Sequence, residues 1–264
     1  MSEPEKEAEP EKEAEPEKEA EPEKEAEPEK ERRVQIGIAG LDKLLDKGLR
    51  PGSLCIIVGE PLCGKEILAK EFFYKGLENG EPGIYITTNN FAEDISSEMK
   101  EFGWSLSKYN KSENTSYKIV DTYSQTVNPK VEDTKNILYV PAATDLAGLS
   151  SKVVEAITSL STSSKKIRMV LDSLSSIVTF ITPPAAIRFL SFLKARVRLV
   201  EGAFFSLLES ELTEKSVMMQ ILQLADVIIE IKGREIHVRQ RGKASTIGEF
   251  KITAQGVEIT PKQG

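Results

Sequence analysis

The chain is short of the residues that staple or metallate small folds: 264 positions hold two cysteines, one histidine and one tryptophan. Cys55 lies in an apolar run and Cys63 in a glycine-bounded loop, so neither suggests a disulfide framework. His237 has no second histidine beside it and no evident ligand set, and it reads as a surface residue. Runs of 18 apolar residues are missing, and the N-terminus lacks the apolar stretch of a secretory signal. These absences lead to the expectation of a soluble, cytoplasmic protein without a membrane partner.

Apolar bulk is also missing from the first residues. Positions 3–31 are four copies of Glu-Pro-Glu-Lys-Glu-Ala and a truncated fifth. Proline every sixth residue interrupts any helix, and no apolar side chain larger than alanine is available to build a core. Residues 1–32 are expected to form a disordered tail, either a solubility spacer or an electrostatic bait for a basic partner. The repeat carries 15 Glu and 5 Lys, a net of −10 against −7 for the whole chain, which leaves +3 elsewhere. The acidic balance therefore belongs to the tail, and the remainder is close to neutral and slightly basic.

Residues 33–264 are rich in regular apolar segments, enough for one large α/β domain. Leu54–Val58 is a short apolar run ended by Gly59, the pattern of a strand buried on both faces. A helix is expected from Gly64 to about Leu77, a strand over Gly83–Thr88, and a helix presenting Phe91, Ile95, Met99 and Phe102, stopped at Gly103. Ile119-Val120 suggests a third strand, Leu146–Leu160 a helix and Ile167–Asp172 an apolar strand ending in an acid. Pro183-Pro184 opens a helix to about Val200, followed by a strand over Gly202–Leu208. Val227–Ile231 with Ile236–Arg241, and Phe250–Thr253 with Gly256–Ile259, read as two β-hairpins. Strand-helix alternation followed by antiparallel strands implies a mostly parallel central sheet flanked by helices, with C-terminal antiparallel hairpins.

Gly59-Glu60-Pro61-Leu62-Cys63-Gly64-Lys65-Glu66 stands between the first strand and its helix, where a phosphate cradle belongs. Loop N–H groups and the helix N-terminus face the anion, and Lys65 adds a point charge. The motif requires Ser or Thr after the lysine, to ligate Mg²⁺, and the chain has Glu66. Asp172, at a strand end, stands where an acid holds Mg²⁺ through water; an ordinary turn or cap aspartate is the other meaning of such a residue.

Several separate stretches together resemble the start, middle and end of a KaiC-like domain of the RecA superfamily. They are Gly37–Leu49, Pro51-Gly52-Ser53, the loop, Glu93-Asp94-Ile95, Phe102-Gly103-Trp104, Leu171–Ser175 and Arg239–Gly242. The resemblance covers nearly everything outside the tail. It implies a RecA-like P-loop NTPase core in an ATP- and Mg²⁺-binding oligomer, of the kind typical of archaea and bacteria. The circadian clock ATPase and the archaeal RadA paralogues are relatives of this type.

The departures from that family pattern are informative. Glu66 would lie near the β- and γ-phosphates, pair with Lys65 and fill the site, or ligate Mg²⁺ directly. Asn89 and Asn90 fall where the family carries a pair of glutamates, one of which activates water; an amide is no general base at neutral pH. Leu62 stands where the clock proteins usually have glycine. Arg239 and Arg241, two apart on an expected strand, share a face. They read either as a solvated basic face or, by resemblance, as a pair reaching a neighbour's γ-phosphate, which implies a homo-oligomer or a hetero-oligomer with an active relative.

The leading expectation is a regulatory or scaffolding pseudo-ATPase. A slow ATPase with Glu66 on Mg²⁺ and a DNA-binding recombination accessory are the other two readings. Nucleic acid is not favoured: Ile181-Thr182 leads straight into Pro183-Pro184, and Leu207–Glu211 is short and acidic. Basic groups at Lys165-Lys166, Arg196/Arg198 and Arg239/Arg241/Lys243 are the features that favour it.

Overall fold

Leu54–Val58 is apolar at every position, so the strand needs cover on both faces, and the computed structural model provides it. Residues 32–110, 115–161 and 166–262 are described; the repeat tail and Lys165 lie outside them. In chain order the first elements are α1 (Ala39–Leu44), β1 (Ser53–Gly59), α2 (Lys65–Glu78), β2 (Gly83–Thr87) and α3 (Ala92–Glu101). Next come a 3-10 turn at Leu106–Tyr109, β3 (Tyr117–Asp121), α4 (Ser124–Val127), β4 (Ile137–Tyr139), α5 (Leu146–Leu160) and β5 (Arg168–Asp172). The rest is α6 (Leu174–Phe180), α7 (Pro183–Leu199), β6 (Ala203–Glu209), α8 (Lys215–Leu222), β7 (Val227–Lys232), β8 (Glu235–Gln240), β9 (Thr246–Thr253) and β10 (Gly256–Pro261).

Among the described residues, ten strands form one sheet in the order β10-β9-β8-β7-β1-β6-β5-β2-β3-β4. From β7 to β4 every neighbour pair is parallel, while β8, β9 and β10 continue the sheet antiparallel. This is the α/β architecture expected, with the two hairpins fused into one extended edge. Side chains alternate across β1. Cys55 and Ile57 join the cluster that holds Leu68, Phe72 and Phe73 of α2. Leu54, Ile56 and Val58 join the opposite cluster, with Phe189, Leu190 and Leu193 of α7.

Five short helices and strands carry too little periodicity to be read from sequence: α1, α4, β4, α6 and α8. Helix α1 contains Gly40, which disfavours a helix by about 1 kcal/mol. A Cβ at Gly40 would overlap the backbone carbonyl of Ile259 in β10, so glycine is what lets this helix lie against the last strand. Leu41 and Leu44 of α1 are buried there. The helix is introduced by Asp42, whose carboxylate accepts from Ile36 N at 2.7 Å and Gly37 N at 3.0 Å.

Arg168 is a second tie. Its guanidinium is buried, donates to the carbonyls of Gln35, Ile36 and Phe72 and pairs with Glu81 at 2.7 Å. One side chain at the start of β5 thus fixes the N-terminal segment and the end of α2 to the sheet. One expectation is corrected here: β8 ends at Gln240, so Arg241 lies past the strand in a turn and does not share a strand face with Arg239. The chain turns at Gly242, which has φ 76°, while the Arg241 N–H still donates to the Asp226 carbonyl at 3.1 Å.

Candidate phosphate-loop site

Parallel pairing places the carboxyl ends of β1, β6, β5 and β2 side by side. Gly59 is opposite Glu209, and Thr87 is opposite Asp172. This edge of a parallel sheet is where ligands bind in such folds, because loops and helix N-termini converge there. The loop from Gly59 closes onto α2 through Gly64, whose φ of 93° suits glycine. Phe250 and Ile252 of β9 stand over Gly64; a Cβ there would come within 2.7 Å of Ile252. Leu62, at φ 61° and 94% exposed, forms the loop's tip. A left-handed conformation costs a branched L-residue about 1–2 kcal/mol relative to glycine, so this loop is held in shape against local preference. Glu60, Pro61 and Leu62 border an open cleft of about 580 Å³ whose other wall includes Arg234 and Lys251.

Lys65 opens α2 and is fully buried. Its ammonium donates to the Glu60 carbonyl at 3.0 Å and to Glu66 Oε1 at 2.7 Å, and it pairs with Glu209 Oε1 at 2.8 Å. Burial opposes the charge, but the hydrogen bonds that the ammonium donates to Glu209 and Glu66 outweigh it and hold the lysine pKa above its usual value. The other Glu209 oxygen, Oε2, is buried without a hydrogen-bond partner among the described residues. The loop's cation is therefore held between two carboxylates of its own chain.

Asp172 ends β5 beneath this group. Its Oδ2 accepts from the Tyr85 hydroxyl at 2.6 Å, and both groups are buried. Burial pushes the Asp172 pKa up, against the pull of nearby Lys70 and the Tyr85 hydrogen bond. Lys70 itself is paired with Glu98. Thr88 locks the neighbouring backbone: its hydroxyl donates to the carbonyl of Asp172 and accepts from Ser173 N. Asn89 accepts from the Ser176 hydroxyl at 2.7 Å, and the Asn90 carbonyl accepts from the Thr87 hydroxyl at 3.0 Å.

The fold thus gathers the loop, Glu66, Asp172 and the Asn89-Asn90 turn at one sheet edge. It does not bring Arg239 or Arg241 there. Strand β8 runs antiparallel to β7, so its end lies near the start of β7, away from the loop. Arg239 is 3.9 Å from Glu230, and Arg241 points to the carbonyls of Gln223 and Ala225. Glu209 and Tyr85 are site residues that sequence reasoning missed. A usable signal existed for Glu209: Leu207-Leu208-Glu209 repeats the apolar-then-acid strand ending of Leu171-Asp172. Tyr85 had none, since a tyrosine inside a buried strand is ordinary.

The chain matches the family model described as ATPase: KaiC over residues 34–264. It is 29% identical over 248 residues to a UPF0273 protein of Thermotoga maritima, covering 88% of this chain and 98% of that one. A UPF0273 protein of Pyrococcus furiosus is 31% identical over 157 residues, a match spanning 60% of each chain. Among solved structures, the fold matches a KaiC-like protein of Pyrococcus horikoshii with a TM-score of 0.63 at 21% identity, covering 87% of this chain and 99% of that one. The sheet order, the loop between β1 and α2 and the family match together place this chain in the KaiC family of RecA-superfamily P-loop ATPases.

Proposed function

We propose that this member of the family is a pseudo-ATPase, a regulatory or scaffolding protein whose phosphate loop is closed by its own carboxylates. The carrying observation is Lys65, held by Glu66 at 2.7 Å and Glu209 at 2.8 Å. In a working loop this ammonium serves the β- and γ-phosphates and a hydroxyl serves Mg²⁺. Here the residues do not fit ATP–Mg²⁺ as arranged. The cation is already neutralised, the metal-binding hydroxyl is replaced by Glu66, and Asp172 is buried against Tyr85. A phosphate oxygen brought within about 4 Å of either glutamate would meet repulsion of about 4 kcal/mol at an intermediate dielectric. Asn89 and Asn90 add a second, separate loss, because neither offers a base for the attacking water.

Calorimetry of the full chain with ATP–Mg²⁺, beside turnover of wild type and Lys65→Ala, tests this reading. The expected result is no Lys65-dependent hydrolysis and weak or undetectable binding. Replacing both acids, as Glu66→Thr with Glu209→Gln, is expected to tighten nucleotide binding at least about ten-fold, since about 1.4 kcal/mol of relieved repulsion suffices. Hydrolysis by the wild type that disappears in Lys65→Ala would sink the proposal.

A further inference from the structure

Helices α3 and α7 carry opposite charge on opposite faces of the sheet. Ala92, Ile95 and Met99 root α3 in the cluster that holds Phe72 and Phe73, whereas Phe189, Leu190 and Leu193 root α7 in the other. Helix α7 has four cations and no acid in 17 residues. Lys194 is engaged within the fold, by Asp226 at 2.7 Å and the Leu224 carbonyl at 2.8 Å. Arg188 and Arg198 are exposed, and Arg196 is half-buried with its guanidinium 5.1 Å from the centre of the Phe192 ring. Among the described residues, no acid forms an ion pair with any of these three arginines. Helix α3 has the opposite character. Glu93, Asp94 and Glu101 are exposed, and among the described residues none of them has an ion pair. Glu98 is paired with Lys70, and Lys100 is the one cation of the helix.

The spacing of the two sets matches. Arg188, Phe192 and Arg196 follow one another at i, i+4 and i+8, and so do Glu93, Ser97 and Glu101. Each triplet spans about 12 Å along its helix. Laid antiparallel, the triplets coincide: Arg188 meets Glu101, Phe192 lies over the small Ser97, and Arg196 meets Glu93. The same register brings Leu199, which is 76% exposed, to the start of α3. There the Phe91 and Tyr123 rings pack at 5.0 Å, and Val127, four residues past Tyr123, is 64% exposed. It also sets the negative C-terminal end of α7 against the positive N-terminal end of α3.

We infer that α7 of one copy docks antiparallel onto α3 of a second copy of this chain. A strip of Phe192 and Leu199 flanked by arginines has the composition of a protein contact, in which aromatic residues and arginine are enriched. The two helices lie on opposite faces of one sheet, so the contact is heterologous, and each added copy presents a fresh α7 or α3. Repetition closes a ring if the rotation allows and otherwise extends a filament. Exposed ion pairs hold little singly, so the association is weak and salt-sensitive. Neither Lys65 nor the phosphate loop takes part, and the contact stands apart from the pseudo-ATPase reading.

Sedimentation velocity of the full chain over a range of protein concentrations, at low and at high salt, tests the contact. The sedimentation coefficient is expected to rise with concentration at low salt and to return towards the monomer value at high salt. Two charge reversals are made separately, Arg188→Glu with Arg196→Glu and Glu93→Lys with Glu101→Lys. Each is expected to weaken self-association at least about ten-fold, since it turns two attractions into repulsions. An equimolar mixture of the two variants is expected to associate again, because the native α7 of one then meets the native α3 of the other. Circular-dichroism melts check that both variants fold; if the Glu93 variant melts early, Asp94→Lys with Glu101→Lys takes its place. A wild type that stays monomeric at low salt overturns the proposal. So does self-association that survives both reversals, or a mixture of folded variants that stays monomeric.

Discussion

Asp172 is an acid whose ionisation the fold resists. Burial raises its pKa above the ordinary aspartate value of 3.8, against the pull of Lys70 and of the hydrogen bond that the Tyr85 hydroxyl donates to it. At neutral pH the group is charged in the unfolded chain and disfavoured as a charge in the folded one, so it subtracts from stability. As pH falls through the raised folded value towards 3.8, the penalty disappears, because both states become protonated. Asp172→Asn keeps an acceptor for Tyr85 and removes the charge. Its urea midpoint at pH 7 is expected to exceed that of wild type, with the gap closing as the pH approaches 4. A variant less stable than wild type at pH 7 would mean that the ionised form is held by Lys70 more strongly than burial opposes it. At the same scale, Glu66 and Glu209 hold the buried Lys65 ammonium at the start of α2.

Helix α1 sets two local effects against each other. Gly40→Ala would favour the isolated helix by about 1 kcal/mol, but a methyl group inserted against a packed backbone costs about 1–3 kcal/mol. The obstacle is the carbonyl of Ile259, which belongs to a strand and has no rotamer with which to move aside. Gly40→Ala is therefore expected to lower the thermal midpoint, read by circular dichroism; an unchanged or higher midpoint would show that α1 can shift off β10. The same element explains what was legible in the chain. Leu54–Val58, Leu146–Leu160 and Pro183–Leu199 declare themselves because burial on two faces, a 3.6-residue stripe and a first-turn proline each leave a local pattern. The motif Gly59–Glu66 likewise marks the candidate site in the sequence. Gly40 and Arg168 left no comparable trace. Their meaning lies in partners far along the chain: Ile259 for the first, and Gln35, Ile36 and Glu81 for the second.

For the whole molecule, the order of strands predicts an order of opening. β1 and β6 lie inside the sheet with helices on both faces, whereas β4 and β10 are its edges. Hydrogen exchange read by mass spectrometry is expected to be slowest in peptides covering Ser53–Gly59 and Ala203–Glu209 and fastest, among strands, in Ile137–Tyr139 and Gly256–Pro261. Faster exchange in β1 than in β10 would place the cooperative core elsewhere. The contact between Gly40 and Ile259 has a further consequence, for synthesis. A ribosome releases α1 long before the strands it packs on, β8 to β10, have been made. The nascent chain must therefore hold Leu41 and Leu44 without these partners until β8 to β10 emerge, and truncation before β10 removes the strand against which Gly40 lies.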